Sequence, residues 1–157
     1  MLKVIGVDPG TITTGWGVIE KSGNQITYIK SGIINIDSNL KTPAKLHFLF
    51  ENLKKILDQF RPTALALENI FYSKNIQSTL RLGEARGIIM LCSAERDIKI
   101  YEYPPTNVKL SVTGNGHASK EQIEIMVRRL LKVPETIKGD EADALAIALC
   151  HIYNRKI

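Results

Sequence analysis

Apolar positions outline the architecture of this chain before any single residue does. Residues 2–8, Leu-Lys-Val-Ile-Gly-Val-Asp, are apolar and β-branched, the mark of a short buried strand. Pro9-Gly10 ends it with turn chemistry. Residues 13–20 and 25–36 read as two further strands, parted by Lys21-Ser22-Gly23-Asn24. So short a turn requires antiparallel neighbours, so residues 2–36 are expected to form a three-stranded meander. The period then lengthens. Leu46, Leu49, Phe50, Leu53, Ile56, Leu57 and Phe60 recur at helical spacing behind Thr42-Pro43, a cap and first turn, and Arg61-Pro62 halts the helix. Residues 63–68, Thr-Ala-Leu-Ala-Leu-Glu, make a fourth strand. Because a helix leads into it, this strand should run parallel to its neighbour.

A second helix is predicted from Asn75 to Arg96. Its stretch Gly87-Ile88-Ile89-Met90-Leu91-Cys92 is apolar on nearly every face, which calls for cover on both sides. Gly83 and Gly87, four apart, would permit a close helix neighbour. Residues 98–103 form a fifth strand. Ser119-Lys120-Glu121-Gln122 has the form of a capping box ahead of an amphipathic helix carrying Ile123, Met126, Val127, Leu130 and Leu131. A last helix spans residues 140–153. The order predicts an α/β fold: a mixed five-stranded sheet, three antiparallel strands then two parallel, flanked by helices, in a single domain over residues 1–157.

Composition narrows the class. At 157 residues, 44% hydrophobic and 24% charged, the chain is an ordinary globular sequence, which excludes disorder, collagen-like repeats and coiled coil. Its longest apolar run, Ile88–Cys92, is far below the roughly 18 residues a membrane span needs, and residues 1–8 lack a signal-peptide core. Cys92 and Cys150 belong to no ligand motif and read as free buried thiols in a reducing cytosol, so a cytoplasmic protein is expected. His47, His117 and His151 have no ligand spacing, and no Ser/His/Asp or Cys/His nucleophile is legible.

Four acids stand out by context. Asp8 closes the first strand and Glu68 the fourth, each after apolar residues, while Asp140 and Asp143 share one face at the start of the last helix. Such places are where α/β folds hold ligands. Taken singly, an acid at a strand end is a turn or cap residue, and Asp140 alone reads as an N-cap. Taken together, converging carboxylates need cations to stay ionised. Oxygen ligands without a His or Cys motif point to Mg²⁺ or Mn²⁺. Two such ions would activate water and stabilise the leaving oxygen of a phosphodiester. The net charge of +5 agrees. With those four set aside, 12 of the 16 acids face 21 lysines and arginines, a surface suited to a polyanion.

Val7-Asp8-Pro9-Gly10 with Thr14-Gly15-Trp16-Gly17-Val18-Ile19 resembles the opening of the RuvC family of Holliday-junction endonucleases. So do residues 67–75 (Leu-Glu-Asn-Ile-Phe-Tyr-Ser-Lys-Asn), 82–87 (Leu-Gly-Glu-Ala-Arg-Gly) and 140–148 (Asp-Glu-Ala-Asp-Ala-Leu-Ala-Ile-Ala), in order along nearly the whole chain. The resemblance implies a ribonuclease-H-like fold with the first and fourth strands adjacent. It implies that Asp8, Glu68, Asp140 and Asp143 are catalytic and bind two Mg²⁺ ions, with Mn²⁺ able to substitute. The implied activity is a crossover junction endodeoxyribonuclease of recombination and repair. It would resolve four-way DNA junctions by paired symmetric nicks that leave 5′-phosphate and 3′-hydroxyl ends.

By the same resemblance Phe71 is a wedge that stacks on unpaired bases, and Lys109 and Lys120 meet DNA phosphate. Lys74 is a further DNA-binding candidate, with Arg81 and Arg86 beside it. The implied partners are four-way junction DNA, a second copy of the chain paired through the 75–96 helix, and the RuvA–RuvB branch-migration complex, in a bacterial cytoplasm. Gly15 and Gly17 share one face of the second strand, opposite Trp16. They either let the DNA backbone approach the acids or serve only to pack. Three competing functions are weaker, one of them a nuclease of the same fold acting on RNA, against which the Phe71 loop and the Gly83–Gly87 helix argue. An actin-like or sugar-kinase-like ATPase would share the Asp8-Pro9-Gly10-Thr11 loop but needs a second lobe. A purely binding protein would be expected to have lost at least one acid.

Overall fold

Three strands open the chain, β1 (Leu2–Asp8), β2 (Thr13–Ser22) and β3 (Gln25–Asn35). Helix α1 (Thr42–Phe60), strand β4 (Ala64–Glu68), helix α2 (Ile76–Ala94) and strand β5 (Lys99–Tyr103) follow. Helices α3 (Pro105–Thr113), α4 (Lys120–Leu131) and α5 (Gly139–Asn154) come last. The structure is a computed structural model, and residues 1–70 and 74–155 are the ones it describes.

The strands form one sheet in the order β3-β2-β1-β4-β5. β1 and β3 flank β2 antiparallel, while β4 pairs parallel with both β1 and β5. This is the predicted mixed sheet in its ribonuclease-H-like arrangement, with β1 and β4 side by side. One element differs. The sequence pattern leaves residues 104–118 unassigned, yet α3 lies there. Tyr103-Pro104-Pro105 looks like a break, but Pro105 is at the helix's first position, where proline costs nothing. The helix buries only Val108 and Val112, too short a stripe for periodicity to register, and Gly114 ends it in the left-handed conformation at φ 76°.

Strand alternation sorts the core into two layers. Ile5, Val7, Val18, Leu65 and Leu67 pack against α1 and α2 through Leu49, Leu53, Leu57, Ala85 and Ile89. Val4, Ile19, Ala64 and Ala66 point the other way and pack with Val108, Val127, Leu145 and Leu149 of α3, α4 and α5. The same period of two carries Asp8 and Glu68 onto that second face, in step with Val4 and Ala66. Residues 144–150 of α5 are all buried, so this helix is enclosed between the sheet and its neighbours α3 and α4.

Glycines decide how near α5 comes. A Cβ added at Gly6 would stand 1.9 Å from the Ala144 carbonyl oxygen, and one at Gly15 2.1 Å from the Asp140 carbonyl oxygen. At Gly17 it would meet the Leu145 side chain at 2.5 Å. The glycine pair of β2 therefore admits a helix rather than DNA. Trp16 faces away, as its place in the strand requires, with its ring 5.7 Å from that of Phe60.

Candidate active site

The first turn of α5 is fastened from several directions. Gly139 begins the helix at φ 59°, a conformation glycine adopts freely. Lys138 is the N-cap residue and offers no side-chain bond, so Asp140 is not the cap its sequence context suggests. The capping role passes to α4. Glu124 Oε1 accepts from the Gly139 backbone N–H at 2.8 Å and Glu124 Oε2 pairs with Arg128 at 3.1 Å. Arg128 in turn donates to the Ile137 carbonyl at 2.7 Å. From the sheet, Ser31 Oγ donates to Glu141 at 2.5 Å, and Thr13 Oγ1 donates to Asp140 Oδ2 at 2.7 Å.

So held, α5 presents Asp140 and Asp143 to the end of β1. Asp8, Asp140 and Asp143 each offer a carboxylate oxygen within 4.8 Å of the others, the one such acidic or metal-ligating trio among the described residues. Glu68 belongs to the same neighbourhood but lies outside that closest set. It lines a cavity of about 260 Å³ together with Asp8, Asp143, Lys109 and Lys120. Its position is fixed through its backbone. Arg86, buried, donates to the Glu68 carbonyl at 2.7 Å and pairs with Glu102 on β5.

Crowded carboxylates resist ionisation. Burial, then Asp143, Asp140 and Glu68, push the Asp8 carboxyl up to about 7, against a partial counter-effect of Lys120. Burial first and Asp143 second raise Glu68, while Lys109 lowers it. Burial also raises Asp143, opposed by Lys120, whose Nζ lies 3.5 Å from Asp143 Oδ2. Asp143 in return raises the Lys120 ammonium. One lysine contact does not neutralise this group. The donor set fits a hard divalent cation, whose charge would let the carboxylates ionise together.

The family model "Crossover junction endodeoxyribonuclease RuvC" matches residues 4–151. The chain belongs to the RuvC family. The relative so named from Geobacter sulfurreducens is 41% identical over 150 residues, covering 96% of this chain and 92% of that protein. That from Bartonella quintana is 44% identical over 154 residues, covering 98% and 91%. Among solved structures, T. thermophilus RuvC in complex with Holliday junction substrate superposes with a TM-score of 0.91 at 30% identity, covering 98% of this chain and 94% of that one.

Within this RuvC-family fold the other expected site residues part company. Lys109 rises from α3 and Lys120 from the first turn of α4, both beside the acids. Lys74 is exposed ahead of α2. Arg86 is not available to phosphate, because the end of β4 and Glu102 use its guanidinium. Phe71 lies outside the described residues. Sequence reasoning passed over Thr13, Glu124 and Arg128. Glu124 and Arg128 are a legible i, i+4 pair on a helix, but nothing in the sequence says that they reach forward to cap the next one. The hydroxyl-rich run Thr11–Thr14 gives only a general signal for Thr13.

Proposed function

We propose that this chain resolves four-way DNA junctions by metal-dependent phosphodiester hydrolysis at the cluster of Asp8, Asp140 and Asp143. The observation that carries the reading is the convergence of three carboxylates within 4.8 Å in a chain of the RuvC family. Asp8, Glu68, Asp140 and Asp143 would hold two Mg²⁺ ions, or Mn²⁺ in their place. When bound, such ions supply the activation of water and the charge neutralisation that hydrolysis of a phosphodiester demands.

The chain's own residues do the rest. Thr13 fixes the orientation of the Asp140 carboxylate through its 2.7 Å hydrogen bond. Lys120 and Lys109 border the acids and neutralise substrate phosphate. Gly6, Gly15 and Gly17 keep α5 at the distance the cluster needs. The products on this reading are 5′-phosphate and 3′-hydroxyl ends. Phe71 stacks on unpaired bases at the crossover and takes no part in the chemistry, since a phenyl ring neither binds metal nor moves protons.

A second copy supports paired nicks. On α2, Ile76, Leu80, Gly83, Gly87 and Leu91 form an exposed stripe on the face opposite Ala85, Ile89 and Cys92. A Cβ at Gly83 or Gly87 would meet nothing within 4 Å in the single chain, which leaves room for another helix. A two-fold dimer through this stripe would present two acid clusters to a junction of matching symmetry. One nuclease domain over residues 1–157 would work in the bacterial cytoplasm beside the RuvA–RuvB complex. No helix among the described residues is long and apolar enough to cross a membrane.

The test is substitution of the acids. Asp8→Asn, Glu68→Gln, Asp140→Asn and Asp143→Asn should each abolish cutting of an end-labelled four-way junction in Mg²⁺ while leaving junction binding in EDTA intact. Wild-type cutting by all four variants would refute the assignment.

A further inference from the structure

Three of the acids owe their closeness to contacts of α5 with β1 and β2, but Glu68 belongs to the other half of the sheet. β4 ends at Glu68, and Asn69 and Ile70 after it belong to no element. Its backbone is tied to β5 instead. In the parallel register Glu68 stands opposite Tyr103, and the Asn69 N–H donates to the Tyr103 carbonyl at 2.8 Å. On the other sheet face Glu102 pairs with Arg86, which donates to the Glu68 carbonyl. The end of β5 therefore carries Glu68 with it. Yet β5 is an edge strand, with a strand neighbour on one side only. His151 of α5 is what meets it. The Tyr103 hydroxyl and His151 Nδ1 share a hydrogen bond of 2.7 Å, the one side-chain hydrogen bond that joins α5 to β4 or β5 among the described residues. Tyr101, two residues back on the same face, stacks its ring 4.4 Å from that of His151. His151 is buried on the helix that carries Asp140 and Asp143. Burial lowers its imidazole and lifts the Tyr103 phenol to about 12, so the pair is uncharged at neutral pH.

We infer that Tyr103 and His151 are positioning residues for Glu68: their bond fixes the end of β5, and Glu68 with it, where Glu68 can share metal ions with the three aspartates. The inference rests on the metal-dependent junction-cutting reading and deepens it. Neither ring lines the cavity beside the acids, so neither is a catalytic residue. The aspartates do not depend on this tie, because the glycine contacts of β1 and β2 place α5 against Asp8. Loss of the bond should therefore act on Glu68 alone. Glu68 already lies outside the closest set of carboxylates, and ligand distances to a metal vary by only about 0.2 Å. A small retreat of the strand end is enough to remove it from the metal.

The experiment is a double-mutant cycle on the full chain, with Tyr103→Phe, Glu68→Gln and the two combined. His151→Phe breaks the same bond from the other side, and both single changes keep a ring in place. Calorimetry measures Mn²⁺ binding to the DNA-free protein. Cutting of a four-way junction across an Mg²⁺ series, junction binding in EDTA, and hydrogen exchange at the Asn69 amide accompany it. Tyr103→Phe and His151→Phe should each weaken Mn²⁺ binding about tenfold, the lower end for groups that orient a ligand from behind. The Mg²⁺ needed for half-maximal cutting should rise by about the same factor, Asn69 exchange should quicken, and junction binding should not change. In the Glu68→Gln background Tyr103→Phe should cost less than about twofold in Mn²⁺ affinity, whereas a general loss of packing would add in full. Thermal melting identifies a variant that fails to fold, and Tyr103→Phe, which removes a single oxygen atom, keeps the test open if His151→Phe is one. A wild type that binds Mn²⁺ and cuts the junction, with a Tyr103→Phe protein of unchanged Mn²⁺ affinity or a loss undiminished by Glu68→Gln, overturns the positioning assignment alone. A wild type that neither binds Mn²⁺ nor cuts the junction overturns the function reading, and this inference with it.

Discussion

One added methyl group at Gly15 tests whether the acid cluster depends on backbone contact between β2 and α5. In Gly15→Ala the new Cβ would stand 2.1 Å from the Asp140 carbonyl oxygen and 2.4 Å from its carbonyl carbon. Both are backbone atoms, so neither can swing aside as a side-chain tip would. The first turn of α5 must withdraw, on the order of 1 Å, and it carries Asp140 and Asp143 with it. Overpacking of this kind costs about 1–3 kcal/mol. For a chain of this length that lowers the melting temperature by roughly 2–12 °C. A misplacement of about 1 Å at reacting groups costs about 100-fold in rate. The assay pairs thermal melting with single-turnover cutting of a four-way junction in Mg²⁺, and adds junction binding in EDTA as a control. Melting and cutting should both fall while binding persists. A Gly15→Ala protein with wild-type melting and wild-type rate would show that the contact does not position the acids.

Three further outcomes follow from the same geometry. The raised Asp8 carboxyl binds its proton more tightly in the folded state than in the unfolded one, so without divalent cation stability is lost as pH rises from about 3.8 to about 7. Asp8→Asn should therefore raise the melting temperature of the metal-free protein at pH 8 and stop doing so below pH 4, and an equal effect at both would refute the sign. Glu124→Ala removes the acceptor at Gly139 and should cost about 0.5–2 kcal/mol, read as faster hydrogen exchange at the amides of residues 139–143. Gly87→Leu should weaken self-association in sedimentation without lowering the monomer's melting temperature, since nothing lies within 4 Å of that position in one chain.

The sheet was legible because its signals are local. The meander follows from a four-residue turn, and the parallel strands from the intervening helix. The convergence of the acids was not legible from spacing alone. It depends on α5 crossing β1 and β2 where Gly6, Gly15 and Gly17 meet Ala144, Asp140 and Leu145; along the chain Gly15 and Gly17 read equally as an approach for DNA or as packing, and nothing there names a helix as their neighbour. Resemblance to a family supplied that step. Helix α3 escaped because two buried valines make no period, and with it went the element that positions Lys109. The capping of α5 by Glu124 escaped because it joins two helices whose packing no local pattern reveals. Arg86 looked like a phosphate ligand until its guanidinium was found on the Glu68 carbonyl.

The cluster draws its carboxylates from nearly opposite ends of the chain, with 127 positions separating Thr13 from the Asp140 that it orients. During synthesis on the ribosome, at about 5–20 residues per second, Asp8 emerges on the order of ten seconds or more before Asp143. Until then the sheet face with Val4, Ile19, Ala64 and Ala66 lacks the part of its cover that α5 supplies, Leu145 and Leu149 included. A nascent or prematurely terminated chain therefore has neither a complete acid cluster nor a fully covered core. On the proposed assignment it would not cut DNA, and it exposes the apolar surface by which proteases and chaperones recognise unfinished proteins. The acid cluster and the closed core are thus completed by the same helix, at the same moment.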